Sequence, residues 1–240
     1  ELEFAALSAS TYTNLLLFSG KELAQVEKEM VKYIETITRF NQDIILTQQM
    51  IYHHNVLALR GIQEGNSQFT YLTKVHKETF PVNDRINDVS EFFFIYFYLL
   101  NFNYLTERNE DALKNSQLIR PYKDYLVSSP YIPLFYFYES LNLLELYSLE
   151  RTSVRKKYFK CVIRNQKKMK KWALHSPENY SHKYHLVEAE IARVKKQELK
   201  AREHYNLAIK LSHENRFIHE EALSYKLYAK FWLGINEDRI

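Results

Sequence analysis

"KAREHYNLAIKLSHEN", Lys200 to Asn215, sets Ala201, Tyr205 and Ala208 on one line of a helix. Residues three and four apart are neighbours on a helix surface. Two small residues around a ring let a second backbone come close, and the ring fills the groove left between them. The helix before it offers small residues in matching places, Ala189 and Ala192. Asp111-Ala112 with Ile119 is a weaker copy of the same device. The stretch therefore predicts two helices packed closely along a seam of alanine and tyrosine.

Helical periodicity dominates the rest of the chain, and strict two-residue alternation is hard to find. Ten helices are expected. The first runs from about Leu2 to Phe18 and the second is "KELAQVEKEMVKYIETITRF", with Leu23, Val26, Met30, Tyr33, Ile34 and Ile37 as its apolar stripe. The third covers about Asp43 to Arg60. Residues 62–87 are the least regular, with a short helix expected near Gln68–Glu78. The fourth, about Asp88 to Leu105, is aromatic almost all round, which marks a helix buried between neighbours. The fifth covers about Asn109–Leu126, the sixth begins after "SSPYIP" and reaches about Tyr147, and the seventh covers about Ser153–Leu174. Ser176-Pro177-Glu178 reads as an N-cap, a first-position proline and an early acid, opening the eighth. The last three helices split near Lys196-Gln197 and Asn215-Arg216. Glycines 20, 61 and 234 follow apolar-periodic runs, as helix stops do. Helix pairs recurring every 35 to 45 residues predict an all-α solenoid of antiparallel, tetratricopeptide-like hairpins, read as one domain over residues 1–240.

The totals narrow the function classes. Glycine occurs 4 times in 240 residues, against a usual share of roughly 7%. No GxGxxG or GxxxxGK[ST] is present, which excludes nucleotide binding by those loops. Cys161 is the only cysteine, so no intrachain disulfide and no CxxC metal site can form, and a reducing, cytoplasmic setting is expected. The longest apolar run, "FFFIYFYLL" from Phe92 to Leu100, is too short for a bilayer, which needs about 20 residues. The chain begins inside a helical pattern without an initiator methionine and ends on "GINEDRI", so a piece of a longer protein is expected. No cofactor is expected, and no convergent acid/base set marks an enzyme.

Two stretches carry a family resemblance: "NYSHKYHLVEAEIARVKKQELKAREHYNLAIKLSHENRFIHEEAL", Asn179 to Leu223, and "LFSGKELAQVEKEMVKYIE", Leu17 to Glu35. They resemble the helical region of large bacterial signalling proteins that fuse a serine/threonine-kinase-like domain, a STAND-type AAA ATPase, a GAF sensor and a histidine kinase. The same helical type is similar to the sensor arm of maltose-regulator-like transcription activators. The resemblance implies a cytoplasmic, non-catalytic interaction arm that couples sensor and effector domains in signal transduction. Its partners would be protein segments or neighbouring domains of the same chain, and a homodimer stays open. No HRD, DFG or GKT of such parents falls in this segment. Where the family often has glycine in the turn after an "AKFYL" helix, this chain reads "AKFWLGIN", with Asn236 beyond Gly234.

Lys and Arg crowd residues 155–171, namely Arg155, Lys156, Lys157, Lys160, Arg164, Lys167, Lys168, Lys170 and Lys171, and no acid occurs between Arg151 and Pro177. Eight of the nine fall on an arc of roughly 160°. That face is either merely solvated or a docking strip for an acidic partner, phosphates or nucleic acid. Nucleic acid is the weaker of these, because no aromatic or Asn/Gln side chains interleave to read bases. The tyrosines of "YIPLFYFYES", Tyr131, Tyr136 and Tyr138, either pack between helices or line a groove with wet hydroxyls. His182, His185 and Glu188 follow at three-residue steps, yet they drift around the helix, so capping and packing explain them better than a metal. His213, Glu214, His219 and Glu220 flank a helix junction, where polar groups satisfy backbone ends. Cys161 falls on the apolar face of its helix and reads as an inert thiol.

Overall fold

The computed structural model describes residues 1–62, 88–126 and 129–237, and every regular element among them is helical. Ten α-helices are described: α1 (Leu2–Phe18), α2 (Leu23–Arg39), α3 (Asp43–Leu59), α4 (Asp88–Leu105), α5 (Asn109–Ile119), α6 (Tyr131–Leu146), α7 (Thr152–His175), α8 (Pro177–Val194), α9 (Glu198–Glu214) and α10 (Ile218–Glu237). Tighter 3-10 turns extend α5 over Arg120–Leu126 and α6 over Tyr147–Leu149. The short helix expected near Gln68–Glu78 lies outside the described residues. No described helix is long and apolar enough to cross a membrane.

The chain forms two compact units, Glu1–Val127 with α1 to α5 and Ser128–Ile240 with α6 to α10, where the sequence reading treats one array. The division falls at "SSPYIP", between the 3-10 turn that ends at Leu126 and α6, which opens on Pro130 as N-cap.

In the first unit α2 follows its sequence stripe, with Val26, Met30 and Ile37 fully buried. Ile37 meets Ala6 of α1 and Ile45 of α3. The aromatic side chains of α4 are the bulk of this core: Phe93, Phe94, Phe97, Tyr98, Phe102 and Tyr104 are all buried. Tyr52 of α3 sits edge-on to Phe94, at 5.7 Å and 85°, a geometry that aligns ring edges with ring faces. Polar ties cross the same core. Gln49 of α3 donates to the Thr13 hydroxyl of α1 at 3.0 Å, and the Tyr98 hydroxyl donates to Asn14.

In the second unit α6 is buried along its whole run from Tyr131 to Leu144. It packs against α7 and α8, while α8 also packs against α9 and α10. A helix that touches its successor and the next but one is the contact order of stacked hairpins; α1 and α3 repeat it in the first unit.

Six helices end the same way. The residue after the C-cap takes the left-handed conformation at Gly20, Asn41, Gly61, Glu107, Lys196 and Arg216. The amide of Lys196 then bonds Arg193 O at 2.9 Å and that of Gln197 bonds Ala192 O at 2.9 Å. Arg216 and Phe217 repeat this on His213 O at 3.1 Å and Ser212 O at 2.9 Å. Each pair satisfies carbonyls that the helix leaves open and turns the chain back on itself. Gly234 breaks the expected pattern. It lies inside α10, which runs on to Glu237, because an apolar run followed by glycine also describes a helix that simply continues. Ser176 differs in detail too. Pro177 and Glu178 open α8 as expected, but the Ser176 side chain caps no backbone amide; its hydroxyl accepts from the Asn179 side chain at 2.9 Å.

Candidate functional site on the basic face of α7

Helix α7 buries one side and leaves the other in water. Val162, Asn165, Gln166 and Met169 are buried. Lys156, Lys157, Lys160, Arg164, Lys167, Lys168, Lys170 and Lys171 are all exposed. Lys168 is held by its neighbour, with its ammonium donating to the Tyr136 hydroxyl at 2.8 Å and lying 4.8 Å from that ring. Arg164 reaches only the sulfur of Cys161, at 4.0 Å. Lys156, Lys157, Lys160, Arg164, Lys167, Lys170 and Lys171 meet no carboxylate among the described residues. From Lys156 to Lys171 the cations span roughly 22 Å of helix.

The polar side chains of α7 that could read a base face inward. Asn165 donates to Glu139 at 2.8 Å and to the Ser140 hydroxyl at 3.2 Å. Gln166 donates to the carbonyl of Tyr184 at 2.8 Å. Trp172 packs on Tyr136, 5.7 Å between centroids. What the outer face offers is charge alone.

The other candidate residues lie in the interior. Ala189, Ala201, Tyr205 and Ala208 are fully buried and Ala192 nearly so. Tyr205 stacks on Tyr228 of α10 at 4.9 Å and 19°, and its hydroxyl donates to Glu190 of α8. Tyr131, Tyr136 and Tyr138 are buried, so their rings pack between helices and line no open tyrosine groove. α6 is the helix that its neighbours enclose, and a ring there meets side chains before it meets water. Cys161 is half-buried, with Glu139 at 3.9 Å from its sulfur.

His182, His185 and Glu188 are drawn apart by different partners. His182 pairs with Glu220 of α10. The Nδ1 atoms of His185 and His204 face each other at 3.0 Å, and burial first, then His204, pulls His185 down to about 4. No group of three metal-ligating side chains occurs among the described residues. Nor is Glu220 a solvent-facing cap. It is buried, and Lys183 of α8, equally buried, meets it at 2.7 Å. Burial would raise the Glu220 carboxyl, yet the Lys183 ammonium and His182 hold it well below the ordinary carboxylate range. The Lys183 ammonium lies 4.4 Å from the Phe217 ring and also donates to the Asn179 carbonyl at 3.0 Å.

Sequence reasoning misses two features of this unit. Three of the helix contacts carry a buried charged network: Glu139 with Asn165 between α6 and α7, Glu190 with Arg193 and Tyr205 between α8 and α9, and Lys183 with Glu220 between α8 and α10. A lone acid inside "FYFYESLNLL" is the one readable signal among them. The second is a cleft where the end of α6, the start of α7, the α8–α9 turn and α10 meet. Its residues are scattered along the chain, so no spacing announces them.

No family model matches the chain, and no curated protein or solved structure matches it either.

Proposed function

We propose that this chain is a non-catalytic protein-interaction arm, and that the outer face of α7 docks an acidic protein segment. The observation that carries this is the run of exposed lysine and arginine with no carboxylate partner among the described residues. Unpaired charges of one sign on one helix repel each other and are relieved by a partner of opposite sign. A rigid row of cations on a packed helix also offers its charge without first ordering a loop. The resemblance to the helical region of multidomain kinase and ATPase signalling proteins supplies the setting: an arm that couples sensor and effector modules, with the acidic segment belonging to a neighbouring domain or a second chain. Nucleic acid is the second reading, favoured by charge and disfavoured by the inward-turned Asn165, Gln166 and Trp172.

Fluorescence anisotropy tests both. A labelled Glu/Gly peptide, mixed-sequence duplex DNA and single-stranded RNA are titrated against the protein and against Lys160→Glu/Arg164→Glu/Lys167→Glu. The peptide is expected to bind, and the triple reversal to weaken it by about ten-fold or more. Tighter binding of DNA or RNA with a steep salt slope favours the second reading. Equal peptide binding by the reversal variant removes the first.

A further inference from the structure

The cleft in the second unit has a volume of about 620 Å³ and is lined by Tyr147, Ser148, Arg155, Arg193, Lys196 and Lys230 among others. Apolar walls are supplied by Val194, Phe231 and Ile235. That volume suits a small organic molecule.

Its electrostatics are uneven. Arg193 is committed inward: it donates to Glu190 at 2.8 Å and to the Leu144 carbonyl at 3.2 Å, and lies 3.9 Å from Glu145. Lys230 meets Glu145 at 3.2 Å. Glu198 also lines the cleft, beside Lys196. Arg155, by contrast, forms no ion pair with a carboxylate among the described residues. It is the one cation of α7 that falls off the basic arc, and its guanidinium donates to the carbonyls of Glu150 and Ser148 and packs 5.8 Å from the Tyr147 ring. These carbonyls orient Arg155 without neutralising it. The Tyr158 hydroxyl donates to the Glu150 carboxylate at 3.4 Å. Gly234 forms part of the wall, and a Cβ there would meet nothing within 4 Å.

We infer that this cleft is a binding site for a small amphipathic organic anion, with its single negative charge on Arg155 and its aromatic or acyl body against Tyr147, Val194, Phe231 and Ile235. A monoanion such as a carboxylate or sulfonate suits the site better than a polyphosphate, because further negative charge would meet Glu198 of the same lining. Occupancy would tie the start of α7 to α10 through one ligand. The site does not depend on the outer strip of α7, since none of its lining residues belongs to that strip.

Anilinonaphthalene sulfonate, a fluorescent aromatic monoanion, is the probe. Saturable binding of one probe per folded chain is expected. Gly234→Phe, which fills the wall from inside a helix, and Arg155→Gln, which removes the charge, are each expected to weaken it by about ten-fold or more. The strip variant Lys160→Glu/Lys167→Glu is expected to leave it unchanged, and circular dichroism verifies that every variant is folded. Arg155→Lys should retain part of the affinity. No saturable binding, undiminished binding in Gly234→Phe, or loss that follows the strip variant would each overturn the assignment.

Discussion

Glu220 and Lys183 are a buried ion pair between α8 and α10. Such a pair contributes little beyond an apolar substitute, but removing one partner strands the other charge in a medium that cannot solvate it. Glu220→Gln is therefore expected to destabilise the second unit by about 3–5 kcal/mol in urea denaturation. Lys183→Met/Glu220→Gln should be less damaging than the Glu220 change alone, a non-additivity that marks residues in direct contact. Additive losses would show that the two do not act as a pair. His185 gives a pH-dependent counterpart. Its folded value lies near 4, below the ordinary 6.5 of a free histidine, so the folded state resists the proton more than the unfolded one. The contribution is complete above about pH 6.5 and is lost as pH falls toward 4. Melting temperatures across that window should fall in the native protein, and His185→Gln should flatten the decline. A decline unchanged in that variant would assign it to other groups.

At the scale of the element, the turn after each helix decides whether a hairpin forms. The glycines at 20 and 61 announce two of these turns, because glycine alone enters the left-handed region without steric cost. The turns at Glu107, Lys196 and Arg216 use the same conformation without glycine or asparagine to signal it, so only loss of helical periodicity marks them in the sequence. Arg216 is exposed and left-handed. Arg216→Gly should raise stability by about 1 kcal/mol, by removing the clash of Cβ with the carbonyl that follows. Gly234 is the reverse case, a glycine inside a helix with open space around it. Gly234→Ala should raise stability by about 1 kcal/mol through backbone entropy alone. A loss of stability on that change would mean that the wall at Gly234 is occupied. The amphipathic stripe of α2, the aromatic enclosure of α4 and the seam at Tyr205 were legible because burial follows a helical period. The pairing of Tyr205 with Glu190, and of Glu220 with Lys183, was not, since sequence spacing within one helix says nothing about which residue of another helix lies opposite.

Across the whole molecule, composition and periodicity made the all-α class legible, and the basic face of α7 could be read from residue order alone. The division into two units at "SSPYIP" was not legible, because prolines that open a helix read the same way inside one array. The burial of Tyr131, Tyr136 and Tyr138 was not legible, because tyrosine suits a wet groove and a dry seam equally well. What the second unit combines is an interior in which buried charges are met by named partners and an outer helix face on which a row of cations meets no carboxylate among the described residues. The docking role of α7 rests on that contrast. Carbodiimide coupling of an acidic peptide to the folded protein, followed by peptide mapping, addresses it most directly, since the reagent joins only carboxylates and amines already in contact. The bonds are expected at Lys156, Lys160, Lys167 and Lys171. Equal yields at lysines elsewhere, such as Lys32 and Lys210, or none on α7, would contradict the account.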